Sequence, residues 1–476
     1  MIKKICCIGA GYVGTPTMAV IALKCPNIDI TVVDSNKSRI DAWNSSNSHD
    51  FPVKEPGLDD IIKEVRNKNL FFSSDTEKHI DESEMIFLAV NTPTKKEGEG
   101  KGFAADLTNI DACAKQIARV SLSNKIIVEK STLPVRTAER LKQIINKEKQ
   151  EGINFEVISN PEFLAEGTAI RDLFQSDRVL IGCDQTKDGF AAMESLINIY
   201  KNWIPEERII KTNIWSSELS KLASNAMLAQ RISSINSLSA LTEKTEAKIN
   251  ELSLAIGKDH RIGDKFLNVS PGFGGSCFQK DILNLVYICR QYGLDEVAEY
   301  WHQVVKINDY QRKRIFNIVN SSLVDLKNKE ISILGWSFKK DTNDSRESSS
   351  IPISSDLIVN GANLKIYDPL SNKKQIIQDL ITYLESKNHS LKEIESLLRQ
   401  VNINKTLSEC LSNSNAIIVL TEWDEFRQID WQSKNKNTNQ VNLPYIFDTR
   451  NILDIKMLKL IGYEVFQIGN GNNTIK

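Results

Sequence analysis

Between a short strand-like run, Lys4–Ile8, and the start of a helical pattern stands Gly9-Ala10-Gly11-Tyr12-Val13-Gly14. No other stretch restricts the fold so tightly. In a G-x-G-x-x-G turn the first glycine permits the sharp reversal and the second lets the backbone approach a pyrophosphate. The third allows close helix-to-strand packing, and the helix N-terminus offers amide donors to the anion. Asp34 closes the next apolar run, 28–33, and lies 20 residues after Gly14. That is where a carboxylate accepts bonds from the adenosine ribose hydroxyls. The alternative is a glycine-containing turn in an unrelated α/β protein. A carboxylate at position 34 repels a 2′-phosphate and favours NAD over NADP, whereas Arg39 is a residue type that can accommodate that phosphate.

Further along, residues 85–90, 126–128 and 156–158 form short apolar runs, separated by helical patterns at 58–65 and 110–120. Such alternation predicts a parallel sheet covered on both faces. From 215 to about 256 the apolar residues recur at helical spacing without proline or glycine. They predict one long helix or two closely joined ones, and a second helical stretch spans roughly 280–321. Residues 331–334, 364–367, 416–420 and 446–447 return to strand character. The expected fold class is α/β: two Rossmann-like domains joined by a central helical domain with a long helix. The boundaries are 1–213 for a cofactor-binding domain, 214–325 for the helical domain and 326–476 for a second α/β domain. The Asn/Lys/Ser-rich segment 433–440 is expected to be a surface loop, and the tail 469–476 disordered.

At 476 residues the chain exceeds what one hydrophobic core organises. Its net charge of -1, with both signs interspersed, supplies no electrostatic reason for a nucleic-acid or membrane partner. No apolar run reaches the roughly 18 residues of a transmembrane helix. The N-terminal run is too short and too glycine-interrupted for a signal peptide. The eight cysteines form no CxxC pair and no regular framework. They predict neither a metal site nor a disulfide scaffold, and a reducing, cytoplasmic setting.

The most reactive-looking stretch is Gly272-Phe273-Gly274-Gly275-Ser276-Cys277-Phe278-Gln279-Lys280-Asp281. A glycine-rich turn delivers Cys277 to a helix start, where amides and the helix dipole favour the thiolate. Asp281, four residues on, shares its helix face and could orient or deprotonate a water attacking a cysteine-bound acyl group. The bland counterpart is a buried cysteine beside a surface aspartate. Lys221 and Asn225 make a similar i,i+4 pair. They either hold an oxyanion, with the lysine able to serve as a base if buried, or are a solvated lysine and a polar helix residue. Glu162 and Glu166 follow a strand end; they place a carboxylate in a cleft or form a helix N-terminal charge pair.

Taken in order, these segments resemble the UDP-glucose 6-dehydrogenase family, most closely its eukaryotic form. The resemblance rests on GAGYVG (9–14), VNTPT (90–94), GKGFAADL (100–107), EKSTLPV (129–135) and SNPEFLAEGTAI (159–170). It continues through WSSELSKLASNAMLAQRISSINS (215–237), GFGGSCFQKD (272–281), NDYQRKR (308–314) and FKKDTNDSRESSS (338–350). YDP (367–369), TEWDEF (421–426) and FDTR (447–450) carry it almost to the C-terminus.

The resemblance implies a four-electron oxidation of UDP-glucose at C6 to UDP-glucuronate, using two NAD and one water. It makes Cys277 the nucleophile of a thiohemiacetal and then a thioester. Lys221 and Asn225 match the base and oxyanion-binding positions, while Asp281, Glu162 and Thr132 match positions that organise water. Tyr12, Val13, Ser131, Thr132 and Glu166 fall on the cofactor side, with Arg346 reaching a neighbour's cofactor. Around the UDP-sugar it places Glu162, Phe163, Leu164, Lys221, Asn225, Phe266, Phe273, Gly274, Phe338, Lys339 and Arg450. Arg261 corresponds to an arginine donated across a subunit interface. No metal is implied. Homo-oligomers are, as dimers or as hexamers built from three dimers; the apolar face of 215–256 fits that role or an intrachain core. Dehydrogenases of UDP-N-acetylhexosamines or GDP-mannose share the chemistry, and segments 163–168, 261–274 and 338–339 separate them from the UDP-glucose type. A catalytically silent nucleotide-sugar-binding member would lack Cys277, Lys221 or Asp281, and all three are present. The loop 44–54 departs from the family pattern, with Lys54 in place of an aromatic residue.

Overall fold

Short β-branched runs flanked by helices can bury both faces only as interior strands of a wound sheet. In the computed structural model, which describes residues 2–436 and 443–473, the chain divides into two units. One comprises Met1–Ser224 with Leu283–Gly293, the other Asn225–Ile282 with Leu294–Lys476.

The first unit carries β1 (Lys4–Ile8), β2 (Asp29–Val33), β3 (Leu70–Ser73), β4 (Met85–Leu88), β5 (Lys125–Glu129), β6 (Phe155–Ser159), β7 (Val179–Cys183) and β8 (Ile209–Asn213). They form one eight-stranded sheet in the order β3-β2-β1-β4-β5-β6-β7-β8. Strand β1 pairs in parallel with β2 (Ile5↔Ile30) and with β4 (Ile5↔Met85). Alternation along β1 sends Cys7 into the core of one face and Cys6 into that of the other, both fully buried. The sheet is not parallel throughout, because β6 meets β7 antiparallel at Ser159↔Gly182. The first helix, Gly14–Lys24, is apolar nearly all round and is buried over most of its length.

In the second unit, β9 (Glu330–Leu334), β10 (Asn363–Tyr367), β11 (Val401–Ile403), β12 (Ala416–Val419), β13 (Tyr445–Asp448) and β14 (Val465–Gln467) are all parallel. Their order is β11-β10-β9-β12-β13-β14. This is the doubly wound 3-2-1-4-5-6 arrangement, and the first six strands of the other sheet repeat it. In each sheet the order reverses beside the first strand. The loops leaving β1 and β9 therefore open at the crevices where such folds bind ligands.

The helical region 215–256 is two helices, Ile214–Thr242 and Ile249–Gly257. The stretch at 280–321 likewise divides into Phe278–Gln291 and Asp295–Leu323, broken at Gly293 with φ +69°. Two loop expectations are corrected. Trp431–Lys436 is helical, covering 433–436, while 437–440 lie outside the described residues. The first part of the tail is anchored: Gly469 N–H donates to Glu243 Oε1 at 2.7 Å, and its carbonyl accepts from Ile249 N at 2.8 Å and Thr242 Oγ1 at 2.9 Å. Residues 474–476 lie outside the described residues. Among the described residues no helix is long and apolar enough to cross a membrane.

Candidate active site

In the first unit the glycine-rich turn leaves β1 with Gly9 at φ +117°. A Cβ on Gly9 would lie 2.4 Å from the Ala89 carbonyl oxygen, and one on Gly14 would lie 2.1 Å from the Gly9 carbonyl. These two glycines are demanded by the fold. Gly11 is different, since a Cβ there meets nothing within 4 Å. Its surface faces open space, the cradle that a dinucleotide pyrophosphate requires. Tyr12 and Val13 are half-buried in the same turn, Val13 at the N-cap of the helix. Asp34 Oδ2 accepts from Ala10 N at 3.0 Å and from Arg39 Nη1 at 3.1 Å, and Oδ1 accepts from Asn36 N at 2.9 Å. The arginine that could have received a 2′-phosphate is engaged with the carboxylate.

The segment after β5 is fixed against the end of β4. Ser131 Oγ donates to the Val90 carbonyl at 2.6 Å, and the Thr132 carbonyl accepts from Thr92 Oγ1 at 3.0 Å. Lys130, 3% exposed, pairs with Glu162 Oε2 at 2.9 Å and donates to Asn160 Oδ1 at 3.1 Å and Tyr200 Oη at 3.3 Å. Burial alone would raise the Glu162 carboxyl. The Lys130 ammonium and the Phe163 N–H more than offset it, and its pKa ends lowered. Burial also works against the charge on Lys130, but Glu162 and Tyr200 raise its pKa overall. Glu162 is thus a committed anion, and it accepts from the N–H groups of Phe163 at 2.8 Å and Leu164 at 3.1 Å. Lys221 is buried, with its ammonium 5.2 Å from the Phe163 ring centre, and Arg178 covers that ring at 3.9 Å. Glu166 is half-buried. The N–H groups of Gly167 and Ala169 beside it go to Glu55, at 2.8 and 3.1 Å. Glu55 immediately follows the loop 44–54 that departs from the family pattern. There Lys54 Nζ donates to the carbonyls of Ser48 at 2.8 Å and His49 at 3.0 Å.

In the second unit Cys277 is the one exposed cysteine of the eight. Burial pushes the others up where a shift is resolved, Cys7 to about 12 and both Cys25 and Cys113 to about 11. Cys277 immediately precedes the helix Phe278–Gln291 and its carbonyl accepts from Asp281 N at 3.0 Å. Ser276 Oγ lies 3.4 Å from its sulfur. Asp281 is 2% exposed, accepts from Asn225 Nδ2 at 2.6 Å, and has Lys280 Nζ 3.5 Å away. The arrangement is the reverse of a buried cysteine beside a surface aspartate: an exposed thiol stands one turn before a buried carboxylate. Lys221 and Asn225 are one turn apart on the helix Ile214–Thr242.

The loop presenting Cys277 is held by residues to which sequence reasoning gave no role. Asn308 accepts from Phe273 N at 2.7 Å and donates to the Phe273 carbonyl at 3.1 Å. Arg312 Nη2 reaches the carbonyls of Phe273 at 3.0 Å and Glu347 at 2.7 Å. Both lie in NDYQRKR, and their spacing of four on one helix face was the available signal. Gly272 has φ +136°. A Cβ on Gly274 would fall 2.7 Å from Phe338 Cβ, and one on Gly275 would fall 3.1 Å from the Phe338 ring. Phe338 therefore braces the glycine loop, with Lys339 Nζ 5.7 Å from its ring centre. Arg450 turns inward. Its Nε donates to the Leu420 carbonyl and its Nη2 to the Phe338 carbonyl, both at 2.8 Å, and Nη1 pairs with Glu422 at 3.1 Å. Phe266 is exposed at φ +59°, its ring 6.5 Å from that of Phe278. Arg261 is exposed and paired with Asp259 at 2.6 Å, and Arg346 is likewise exposed and paired with Asp344 at 2.7 Å. Among the described residues no group of three or more His, Cys, Asp or Glu could hold a metal ion.

Comparison with known proteins covers nearly the whole chain. The UDP-glucose/GDP-mannose dehydrogenase family models match in series: the NAD binding domain at residues 3–204, the central domain at 215–310 and the UDP binding domain at 332–455. UDP-glucose 6-dehydrogenase 3 of Arabidopsis thaliana is 54% identical over 470 residues, covering 98% of this chain and 97% of the relative. UDP-glucose 6-dehydrogenase 1 of Glycine max is 53% identical over the same shares. Among solved structures, a UDP-glucose dehydrogenase from the archaeon Pyrobaculum islandicum superposes with a TM-score of 0.82 at 25% identity, over 99% of this chain and 98% of that one.

Proposed function

This chain belongs to the UDP-glucose/GDP-mannose dehydrogenase family, and we propose that it oxidises UDP-glucose at C6 to UDP-glucuronate, with two NAD and one water per turnover. The observation that carries the proposal is the exposed Cys277 one helical turn before the buried Asp281. Oxidising an alcohol to an aldehyde needs no nucleophile. Taking the aldehyde on to an acid requires a tetrahedral adduct that can lose a second hydride, and a thiolate supplies it.

Bound NAD is the hydride acceptor, and the open face of Gly11 with the oriented Asp34 carboxylate fits it. The chain's own groups do the rest. The Cys277 sulfur adds to the aldehyde carbon, giving a thiohemiacetal with a C–S bond. Loss of the remaining C6 hydrogen as hydride leaves a thioester, whose hydrolysis breaks that bond and returns the thiolate. Lys221 serves as the base for the C6 hydroxyl, and the Asn225 amide supports the oxyanion. Asp281 directs the hydrolytic water. Thr132 helps organise water, and Ser131 and Glu166 line the nicotinamide side. Glu162, ion-paired to Lys130, acts by holding Phe163 and Leu164 in place.

The substrate assignment draws on the relatives that bear the UDP-glucose name and on the pocket segments 163–168, 261–274 and 338–339. The domain division 1–213, 214–325 and 326–476 accompanies it. Exposed Trp215, Leu219, Met227, Leu238 and Leu241 on the helix Ile214–Thr242 support a homo-oligomer, as dimer or hexamer. Eight free cysteines support a cytoplasmic setting.

The test is NADH yield per UDP-sugar consumed, with UDP-glucose beside UDP-N-acetylglucosamine and GDP-mannose. Two NADH per UDP-glucose, with UDP-glucuronate as product, is the expected result. One NADH would mean release at the aldehyde and would undo the thioester step. Turnover of another sugar alone would move the substrate, and ligand binding without any NADH would mark a silent member. Cys277→Ala is expected to make no UDP-glucuronate; full turnover by that variant would sink the covalent route.

A further inference from the structure

Two acids that the mechanism leaves unused meet inside the first unit. Glu129 ends β5 and is 2% exposed, and Glu218, on the helix Ile214–Thr242, is 3% exposed. Glu218 receives two backbone donors, Arg136 N on Oε2 and Ala138 N on Oε1, each at 2.7 Å. It thereby caps the helix Thr137–Glu148 with negative charge, where the helix dipole favours it. Arg136 at that cap has φ +78°, a conformation that a non-glycine residue holds only when its surroundings impose it. The Glu129 oxygens receive no hydrogen bond from any donor group among the described residues, and the side chain meeting them is the Glu218 carboxyl.

Two buried carboxyls in contact cannot both be ionised, so one proton is retained between them. Its location follows from the partners. Two N–H groups stabilise Glu218 as the anion. Glu129 has no donor, so it keeps the proton and gives its O–H to Glu218. The directions of the shifts agree. Burial first, and then the Glu218 charge, raise Glu129 well above the usual carboxylate range. Burial raises Glu218 too, but the Ala138 and Arg136 N–H groups pull it down. Among the described residues, Lys142 from the helix Thr137–Glu148 also faces the pair. That lysine is paired with Asp184 and also acts on Glu156 of β6.

We infer that Glu129 and Glu218 are positioning residues: a proton held by Glu129 ties the two ends of the loop 130–136 together and so sets Ser131 and Thr132. Glu129 is the residue before that loop, and Glu218 grips the backbone at its far end. Because burial and the neighbouring charge raise the pair above the ordinary carboxylate range, the tie is present below the raised pKa. It fails as pH rises through the raised pKa, when two like charges face each other in a dry site.

The kinetic part of the test rests on the dehydrogenase reading; the spectroscopic part does not. Full-length wild type, Glu129→Gln and Glu129→Ala are compared. Infrared spectroscopy should find a protonated carboxyl band that persists at neutral pH in the wild type and vanishes in Glu129→Gln. KM for NAD in the wild type should rise at alkaline pH with a smaller change in kcat. Glu129→Gln carries a permanent amide donor in place of the proton, so it should rescue neutral KM and abolish the alkaline rise. Glu129→Ala should raise KM for NAD about tenfold at neutral pH. If the protein turns over no UDP-sugar, NADH binding by fluorescence replaces KM, which separates this inference from the substrate assignment. Absence of the carboxyl band in the wild type, or an undiminished alkaline rise in Glu129→Gln, would overturn it.

Discussion

Replacing Lys130 with methionine should open the core of the first unit selectively. The lysine is 3% exposed, and it serves three acceptors: Glu162 at 2.9 Å, Asn160 at 3.1 Å and Tyr200 at 3.3 Å. Methionine fills much of the same space but leaves the Glu162 carboxylate, only 14% exposed, without its counter-ion. Breaking one partner of a buried pair costs about 3–5 kcal/mol, and little of that is screened at this depth. The pH dependence carries a sign. In the wild type the lowered Glu162 pKa contributes stability that is present above the ordinary carboxylate range and lost as pH falls through the folded value. In Lys130→Met burial acts unopposed by the lysine, so the deficit is largest at neutral pH and shrinks as Glu162 protonates. The assay is amide hydrogen exchange by mass spectrometry on peptides spanning 155–165. Opening should become easier by about two to three and a half orders of magnitude at neutral pH, at a factor of ten per 1.4 kcal/mol. Lys130→Met/Glu162→Gln should recover about half of the loss, because no buried charge is then orphaned. A change below about tenfold, or one indifferent to acid, would refute a buried ion pair as the organiser of this region.

Other consequences are equally direct. Gly11→Ala should fold normally yet lose NAD binding, since its Cβ meets no protein atom, whereas Gly14→Ala should destabilise the fold itself by driving a Cβ to 2.1 Å from the Gly9 carbonyl; thermal unfolding alongside NADH fluorescence separates the two. Asp281→Asn should slow thioester hydrolysis by about 10²–10⁴-fold with NAD affinity unchanged, and intact-mass spectrometry should then show an acyl adduct on Cys277. An unchanged rate with weakened NAD binding would count against that role. Asn308→Ala removes two of the three hydrogen bonds that hold the Phe273 backbone, leaving the one from Arg312. It should cost about 1–3 kcal/mol, and alkylation of Cys277 should report the loosened loop.

What could be read locally was read correctly wherever one element decided it. The strands 331–334 and 364–367, and the helix Leu58–Val65, follow from apolar periodicity that their own residues display. The strands Val179–Cys183, Val401–Ile403 and Val465–Gln467 escaped notice, because brief runs carry little period and are recognised by what they pair with. The tail failed for the same reason. Its Gly/Asn composition reads as disorder, yet Gly469 is gripped by Thr242, Glu243 and Ile249, more than two hundred residues earlier.

By itself the sequence determined the glycine turn, its Asp34, the cysteine at a helix start and the i,i+4 pairs, since each is a matter of spacing along one element. Tertiary structure alone decided which groups are dry. It exposed Cys277 while burying Asp281, committed Glu162 to Lys130, and turned Arg450 toward three partners inside its own unit. It also brought Glu129 against Glu218 across 89 residues of chain. Burial and the meeting of distant side chains set the charge state of an acid, and neither is written in local spacing.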